Sequence, residues 1–344
     1  MRSIGESFAL FLIKISKRNL KEMLAVLLVA VFCLSMFSAL TLNVNAQQAS
    51  GDYWITRAPV PVALGVEGAT TGNGQIYVFG QDAHGNPLTY EYNPLTNAWT
   101  EKTPIPISRT NFGLVAFENL IYAMGGITGY SANGTDLSTG ANEEYNPSTD
   151  TWITKASMPT NRSEVEAVTA NSKIYVMGGR TAGAYSTVNI TEIYNPKTDS
   201  WTTGTSMPYP VVAAASATID NQIFIIGGQD EFNHPNSNIA NPSINLAVNQ
   251  IYNLTTNSWS IGQPIPGGAW QAVGIATNGI NAPKRVYVIG GLDSNSESPT
   301  SANQIFDPNT NSWTTGTSFP TTDDYVTNTL AAVTLNDSIY VIGG

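Results

Sequence analysis

Cysteine is all but absent, with Cys33 the single one in 344 residues. A disulfide framework needs an even set at regular spacing and is excluded. Histidine is nearly as scarce: His84 and His234 are the only two, too few for a multi-histidine metal centre. Charge is also low. Asp, Glu, Lys and Arg make up 12% of the chain, where ordinary globular proteins carry about 25%. Apolar content has not fallen with it, at 42% hydrophobic and 10% aromatic, so a disordered, charge-rich chain is excluded as well. G-x-S-x-G, H-E-x-x-H and the phosphate-binding loop are missing, which leaves the usual motif-borne chemistries without an anchor.

Glycine and proline are plentiful, at 30 and 19 residues, and they recur at short intervals. That disfavours a helical bundle. The N-terminus is a separate material. Leu24 to Leu42 is almost wholly apolar, and Lys14, Lys17, Arg18 and Lys21 precede it. A basic region, an apolar run and small residues near Ala46 form the pattern of a secretory signal. An uncleaved anchor is the alternative, because about 20 apolar residues span a bilayer. Residues 1–46 are thus read as signal peptide or membrane anchor, and residues 47–344 as the exported domain, extracellular or at the cell surface. Losing residues 1–46 takes the cations from 15 to 10 and the acids from 25 to 23, a net charge of −13. Nucleic acid is then an unfavourable partner, because few cations are left to neutralise phosphates. A membrane is a partner only through the N-terminal segment.

Tryptophan exposes an internal repeat. Trp54, Trp99, Trp152, Trp201, Trp259 and Trp313 lie 45 to 58 residues apart. Seven residues before the last five stands Tyr92, Tyr145, Tyr194, Tyr252 or Phe306. The joining segments read YNPLTNAW, YNPSTDTW, YNPKTDSW, YNLTTNSW and FDPNTNSW. Asn and Pro there are turn formers, which predicts a hairpin with the two aromatics on adjacent strands. Ahead of each hairpin comes IYVFGQ, IYAMGG, IYVMGG, IFIIGG or VYVIGG, and IYVIGG recurs at the C-terminus. These β-branched and aromatic runs predict buried strands, each closed by glycines that allow positive φ and close packing. A strand of small residues precedes each. The unit is four strands in about 50 residues, repeated, which is the signature of a propeller blade.

This pattern of Gly-Gly followed by spaced Tyr and Trp resembles the kelch family over residues 53–344. The resemblance implies an all-β, kelch-type β-propeller. Six blades of four antiparallel strands are expected, the last incomplete and closed by N- and C-terminal strands. Five blades are complete in sequence. The C-terminus, ending on Gly343-Gly344, supplies the inner two strands of a sixth, and the segment around Trp54 is expected to supply its outer strand. A sequence stopping on Gly343-Gly344 reads as a truncated product.

Repeated residues are architecture, so function is sought where the repeats differ. One variable set runs from each Gly-Gly to the next Tyr strand, the longest spanning Gln229 to Asn249. The other links each Trp strand to the next inner strand, and in kelch propellers such loops open onto one face around the channel. Arg109 and Arg162 stand at equivalent places there, with Glu164, Glu166, Trp270, Asp323, Asp324 and Tyr325 from neighbouring blades. Guanidinium forks can take carboxylates, and aromatic rings stack on sugar or side-chain faces. Pairing of the two arginines with local carboxylates is the structural alternative. These eight residues are the candidate ligand-binding set for a protein or glycan partner.

No cofactor, metal or catalytic residue is expected. Kelch-type copper radical oxidases need a Cys-linked Tyr and two His ligands, which residues 47–344 do not supply. One enzymatic reading survives. Sialic-acid mutarotases (N-acetylneuraminate epimerases) share the fold, and they would need only acid–base side chains and an arginine, such as Arg109 or Arg162 with Glu164 or Glu166.

Overall fold

A computed structural model describes residues 53–182, 186–230, 244–293, 298–320 and 330–343. The expected leader, residues 1–46, lies outside this set. Among the described residues every regular element is a strand.

Five antiparallel sheets of four strands follow one another along the chain. Blade 1 comprises Gly65–Gly72, Gln75–Gln81, Pro87–Asn93 and Ala98–Lys102. Blade 2 comprises Gly113–Phe117, Leu120–Met124, Asn142–Asn146 and Thr151–Thr154. Blade 3 comprises Glu166–Ala170, Lys173–Met177, Thr191–Asn195 and Ser200–Thr203. Blade 4 comprises Ala215–Ile219, Gln222–Ile226, Asn249–Asn253 and Ser258–Ile261. Blade 5 comprises Val273–Ala276, Val286–Ile289, Asn303–Asp307 and Ser312–Thr315. The first strand of each blade packs against the first strand of the next, so these small-residue strands line the axis.

The expectation of six four-stranded blades is corrected to five. Leu330–Leu335 and Ser338–Gly343 form only a two-stranded sheet, which fills the gap between blades 5 and 1. Nor does the Trp54 segment pair as a strand: residues 53–64 lie outside any sheet. Pro59 and Pro61 fall in this segment and lack the amide donor a ladder needs.

Within each blade the aromatic pair holds the outer hairpin as expected. Tyr92 faces Trp99, Tyr145 faces Trp152, Tyr194 faces Trp201, Tyr252 faces Trp259, and Phe306 faces Trp313. Their ring centroids lie 4.9–5.1 Å apart, within the favourable range for aromatic contact. Two residues before each Trp is an Asn or Asp in the left-handed region: Asn97, Asp150, Asp199, Asn257 and Asn311. These positions tie neighbouring blades. Asp150 accepts the Tyr145 hydroxyl at 2.6 Å and the Thr103 amide of the preceding blade at 2.9 Å. Asp199 does the same for Tyr194 and Ala156.

Glycine pairs make the second inter-blade seam. A Cβ on Gly125 would lie 2.4 Å from the Arg162 carbonyl, and one on Gly227 would lie 2.2 Å from that of Ala269. Only glycine fits there. The next amide, from Gly126 or Gly228, then donates to that same carbonyl, at 2.9 and 2.6 Å.

Candidate functional site on the loop face

Strand direction decides where the variable loops go. Each second strand ends on the side where each first strand begins, so both loop sets meet on one face. The pairings confirm it. Arg162–Ser163 joins Arg180–Thr181 and Ser186–Thr187 in a small three-stranded sheet. Thr110 bridges Ile127, Val212 bridges Gln229, and Trp270 bridges Leu292. The two sets treated separately from sequence form one apron.

Arg109 and Arg162 sit beneath this apron. Their side chains are 0% exposed. Arg109 donates to Glu143 and to the Ala123 carbonyl. Arg162 donates to Glu192 at 2.8 Å and to the Gly178 and Val176 carbonyls. Each guanidinium therefore reaches from the loop into its own blade and bonds the second and third strands. Burial pulls both guanidinium pKa values down, and each glutamate pulls its partner back up. The open forks expected from sequence are spent on internal carboxylates, and a ligand on this face does not reach them.

The repeat itself shows why. At the positions of Arg109 and Arg162, blades 4 and 5 have Val211 and Ala269. At the positions of Glu143 and Glu192 they have Gln250 and Gln304. Where the cation is absent, the anion is replaced by its neutral amide. Gln250 instead bonds the Tyr209 main chain, and Gln304 accepts from the Gly267 amide. A lone glutamate there would be a buried, uncompensated charge.

A second set of polar groups does reach the face. Asn111, Glu164, Ala213 and Gln271 are equivalent left-handed residues at the entries to the inner strands. The Glu164 amide donates to Asn111 O at 2.7 Å, and the Gln271 amide to Ala213 O at 2.9 Å. The Glu164 carboxylate takes Arg180 at 2.8 Å and the Asn111 side-chain amide at 3.2 Å. Arg180 also meets Asp136 at 2.8 Å, so it joins the blade 2 hairpin to the blade 3 entry. Glu67 accepts the Asn111 amide at 2.7 Å, and burial raises its carboxyl pKa. Glu166, on the inner strand of blade 3, is half-buried. Desolvation pushes its carboxyl up to about 7, partly offset by bonds from Ser216 and the Ala214 amide.

The face therefore gathers Glu164 and Glu166 from the expected set. Trp270 is half-buried, and its main chain is held by Leu292. Asp323, Asp324 and Tyr325 lie outside the described residues. Arg180, Asp136 and Glu67 were missed. Arg180 directly follows Gly178-Gly179, and strand direction alone would have brought it to this face.

The same face carries exposed apolar side chains. Tyr130 and Leu137 stand on the two arms of the blade 2 hairpin, at 66% and 46% exposure. Ile107 and Tyr209 stand on the loops entering blades 2 and 4, at 42% and 48%. Among the described residues, no group of three or more His, Cys, Asp or Glu is placed to hold a metal ion.

Comparison with known proteins follows this architecture. Residues 114–344 match the family model described as KLHDC2/KLHL20/DRC7 Kelch-repeats domain. Beta-scruin from Limulus polyphemus is 30% identical over 143 residues, covering 40% of this chain and 16% of that protein. Kelch-like protein 35 from Mus musculus is 25% identical over 140 residues, covering 40% and 22%. The matched stretches thus span about a fifth of these relatives' length. The solved structure titled "Structure of YjhT" superposes with a TM-score of 0.66 at 18% identity, covering 84% of this chain and 92% of that one, a likeness of fold.

Proposed function

Because the chain belongs to the kelch-repeat family, we propose that it is an exported binding module whose loop face takes a protein partner. Kelch propellers are typically protein-binding modules. The observation that carries the reading is the exposed set Ile107, Tyr130, Leu137 and Tyr209 on the same face as the Asp136–Arg180–Glu164 network. Aromatic anchors next to polar groups are the usual makeup of an interface hot spot. A displayed peptide library selected on the full chain tests it. Tyr130→Ala with Tyr209→Ala should abolish the selected binding, and Leu95→Ala on the opposite face should leave it intact. Binders indifferent to the two tyrosines would overturn the reading. A glycan array distinguishes a carbohydrate partner, and cell fractionation tests export.

One observation favours the second reading, a sialic-acid mutarotase. Glu166 stands at the start of the inner strand of blade 3, where burial pushes its carboxyl up to about 7, the range in which a general acid–base group works best at neutral pH. Arg109 and Arg162 are internally paired, so a substrate carboxylate would have to take Arg180 from Glu164 or Asp136. NMR exchange spectroscopy on free sialic acid should show faster anomer exchange with the protein and none with Glu166→Gln. Exchange equal to buffer excludes this reading.

A further inference from the structure

The cations of this chain avoid the loop face. Arg109 and Arg162 reach it but are spent on Glu143 and Glu192. Lys102 and Lys155 turn to Glu91 and Glu144 within their own blades. Arg57 acts on the Tyr92 hydroxyl, which bonds Asn97 in a turn of the opposite face. That opposite face also holds Lys173, Lys197, Lys284 and Arg285, the last three paired with Glu118, Asp220 and Asp307. Among the described residues Arg180 is therefore the one Lys or Arg that stands on the loop face beyond the two buried pairs.

The carboxylates do the reverse. Glu67 and Glu166 lie near the start of the inner strands of blades 1 and 3, and Glu164 stands at the entry to blade 3. Asp82, Asp136, Asp230 and Asp293 stand on the connections that leave the second strands of blades 1, 2, 4 and 5. None of the seven is buried. Bonds from neutral donors leave their charge in place: Asp82 accepts the amides of His84 and Asn86, Glu67 that of Asn111, and Glu166 that of Ala214. Asp136 and Glu164 share the single guanidinium of Arg180. The face thus sets seven carboxylates against one guanidinium. They are spread over all five blades, and among the described residues no three meet to hold a metal ion. Charge spaced in this way suits the spaced cations of a polypeptide, not one ion.

The exposed apolar groups are set among these charges. Tyr130 is the direct cross-strand partner of Asp136 in the blade 2 hairpin, which puts an exposed ring and a carboxylate side by side. Such a ring takes a cation on its face. The stems of Lys and Arg also cover apolar surface while their heads stay in water. We propose, resting on the reading of the loop face as the binding surface, that the partner segment it takes is cationic: a polypeptide stretch in which an apolar anchor is flanked by Lys or Arg. The anchor packs on Tyr130 and Leu137, and the flanking cations lie over the carboxylates of neighbouring blades. Complementary charge speeds the encounter and suppresses wrong partners. An acidic segment would meet like charge on every blade.

The test uses the full chain and fluorescent synthetic peptides that share a Leu-Tyr-Leu centre and carry flanks of Lys, Ser or Glu. The Lys peptide should bind saturably and the Glu peptide not at all. The Ser peptide should bind about tenfold or more weakly than the Lys peptide, as several rim charges are lost together. Added salt should weaken the Lys peptide. Asp82→Asn with Asp136→Asn in the protein should weaken it too. Glu118→Gln with Asp220→Asn, the same loss of charge on the opposite face, should not. The peptide series leaves the protein untouched, so it reads out even if a variant fails to fold. Ser and Glu peptides that bind as tightly as the Lys peptide, with all binding lost on Tyr130→Ala, would overturn the cationic partner and leave the loop-face reading standing. A Lys peptide indifferent to Tyr130→Ala and weakened equally by both pairs of acid substitutions is adsorbed by overall charge, which overturns the proposal. No saturable binding of the Lys peptide overturns it as well, while the displayed library still tests the loop face.

Discussion

The indole of Trp54 donates to the carbonyl of Thr317, 263 positions away in sequence, at 2.9 Å. It is one of six equivalent bonds, and it closes the circle that those of Trp99, Trp152, Trp201, Trp259 and Trp313 begin. The first prediction concerns this closure. Trp54→Phe keeps most of the apolar contact but removes the N–H. Stability should fall by about 1 kcal/mol, the net worth of one such bond. Thermal unfolding of the purified chain measures it. Equal loss from Trp99→Phe would show that the closing bond is worth as much as an internal one.

Asp337 makes the second closure. Its carboxylate accepts the amides of Asn278, Ile280, Asn281 and Ala282 at 2.6–3.2 Å. It thus fastens the C-terminal hairpin to blade 5. These amides hold the carboxyl pKa below its ordinary 3.8. A depressed acid contributes stability above the unfolded pKa and loses it as pH falls through the folded one. Asp337→Ala should therefore be destabilising at neutral pH, with the deficit shrinking below about pH 4. Hydrogen exchange at residues 278–282 should rise at neutral pH in the variant.

Much of this architecture was legible in the sequence because it repeats. Tyr and Trp at a spacing of seven carry the hairpin register, and Gly-Gly carries the close approach to the next blade. Blade number was not legible. The Trp54 segment has the residue that makes the closing bond but not the pairing of a strand, and Trp alone does not distinguish the two. The arginines misled for a different reason. Position after a proline places Arg109 and Arg162 on the loop but says nothing of which way the guanidinium turns. The signal lay elsewhere in the repeat, in Glu143 and Glu192 giving way to Gln250 and Gln304 where the arginine is lost.

That substitution pattern yields the third prediction. Arg162→Val strands Glu192 without its cation and should cost about 3–5 kcal/mol, as breaking a buried pair does. Glu192→Gln alone strands the arginine. The double variant reproduces the Val211–Gln250 arrangement of blade 4 and should recover most of the loss. Denaturant unfolding of the four chains gives the coupling energy directly. Additive losses would mean that the pair is not energetically linked.

The fourth prediction follows from Glu166. Its folded pKa lies near 7, above the unfolded value of 4.5, and burial is the main cause. A raised acid binds its proton more tightly in the folded state. The fold therefore carries no penalty from this group below the unfolded pKa, acquires one as pH rises through the window between the two values, and bears all of it above the folded value. Glu166→Gln cannot ionise and escapes that penalty. Relative to the parent, the variant should gain stability progressively from pH 5 to pH 8 and show no such gain at pH 4. Chemical unfolding across that range checks the slope. A difference independent of pH would mean that the Ser216 and Ala214 bonds hold the carboxylate as well as water does.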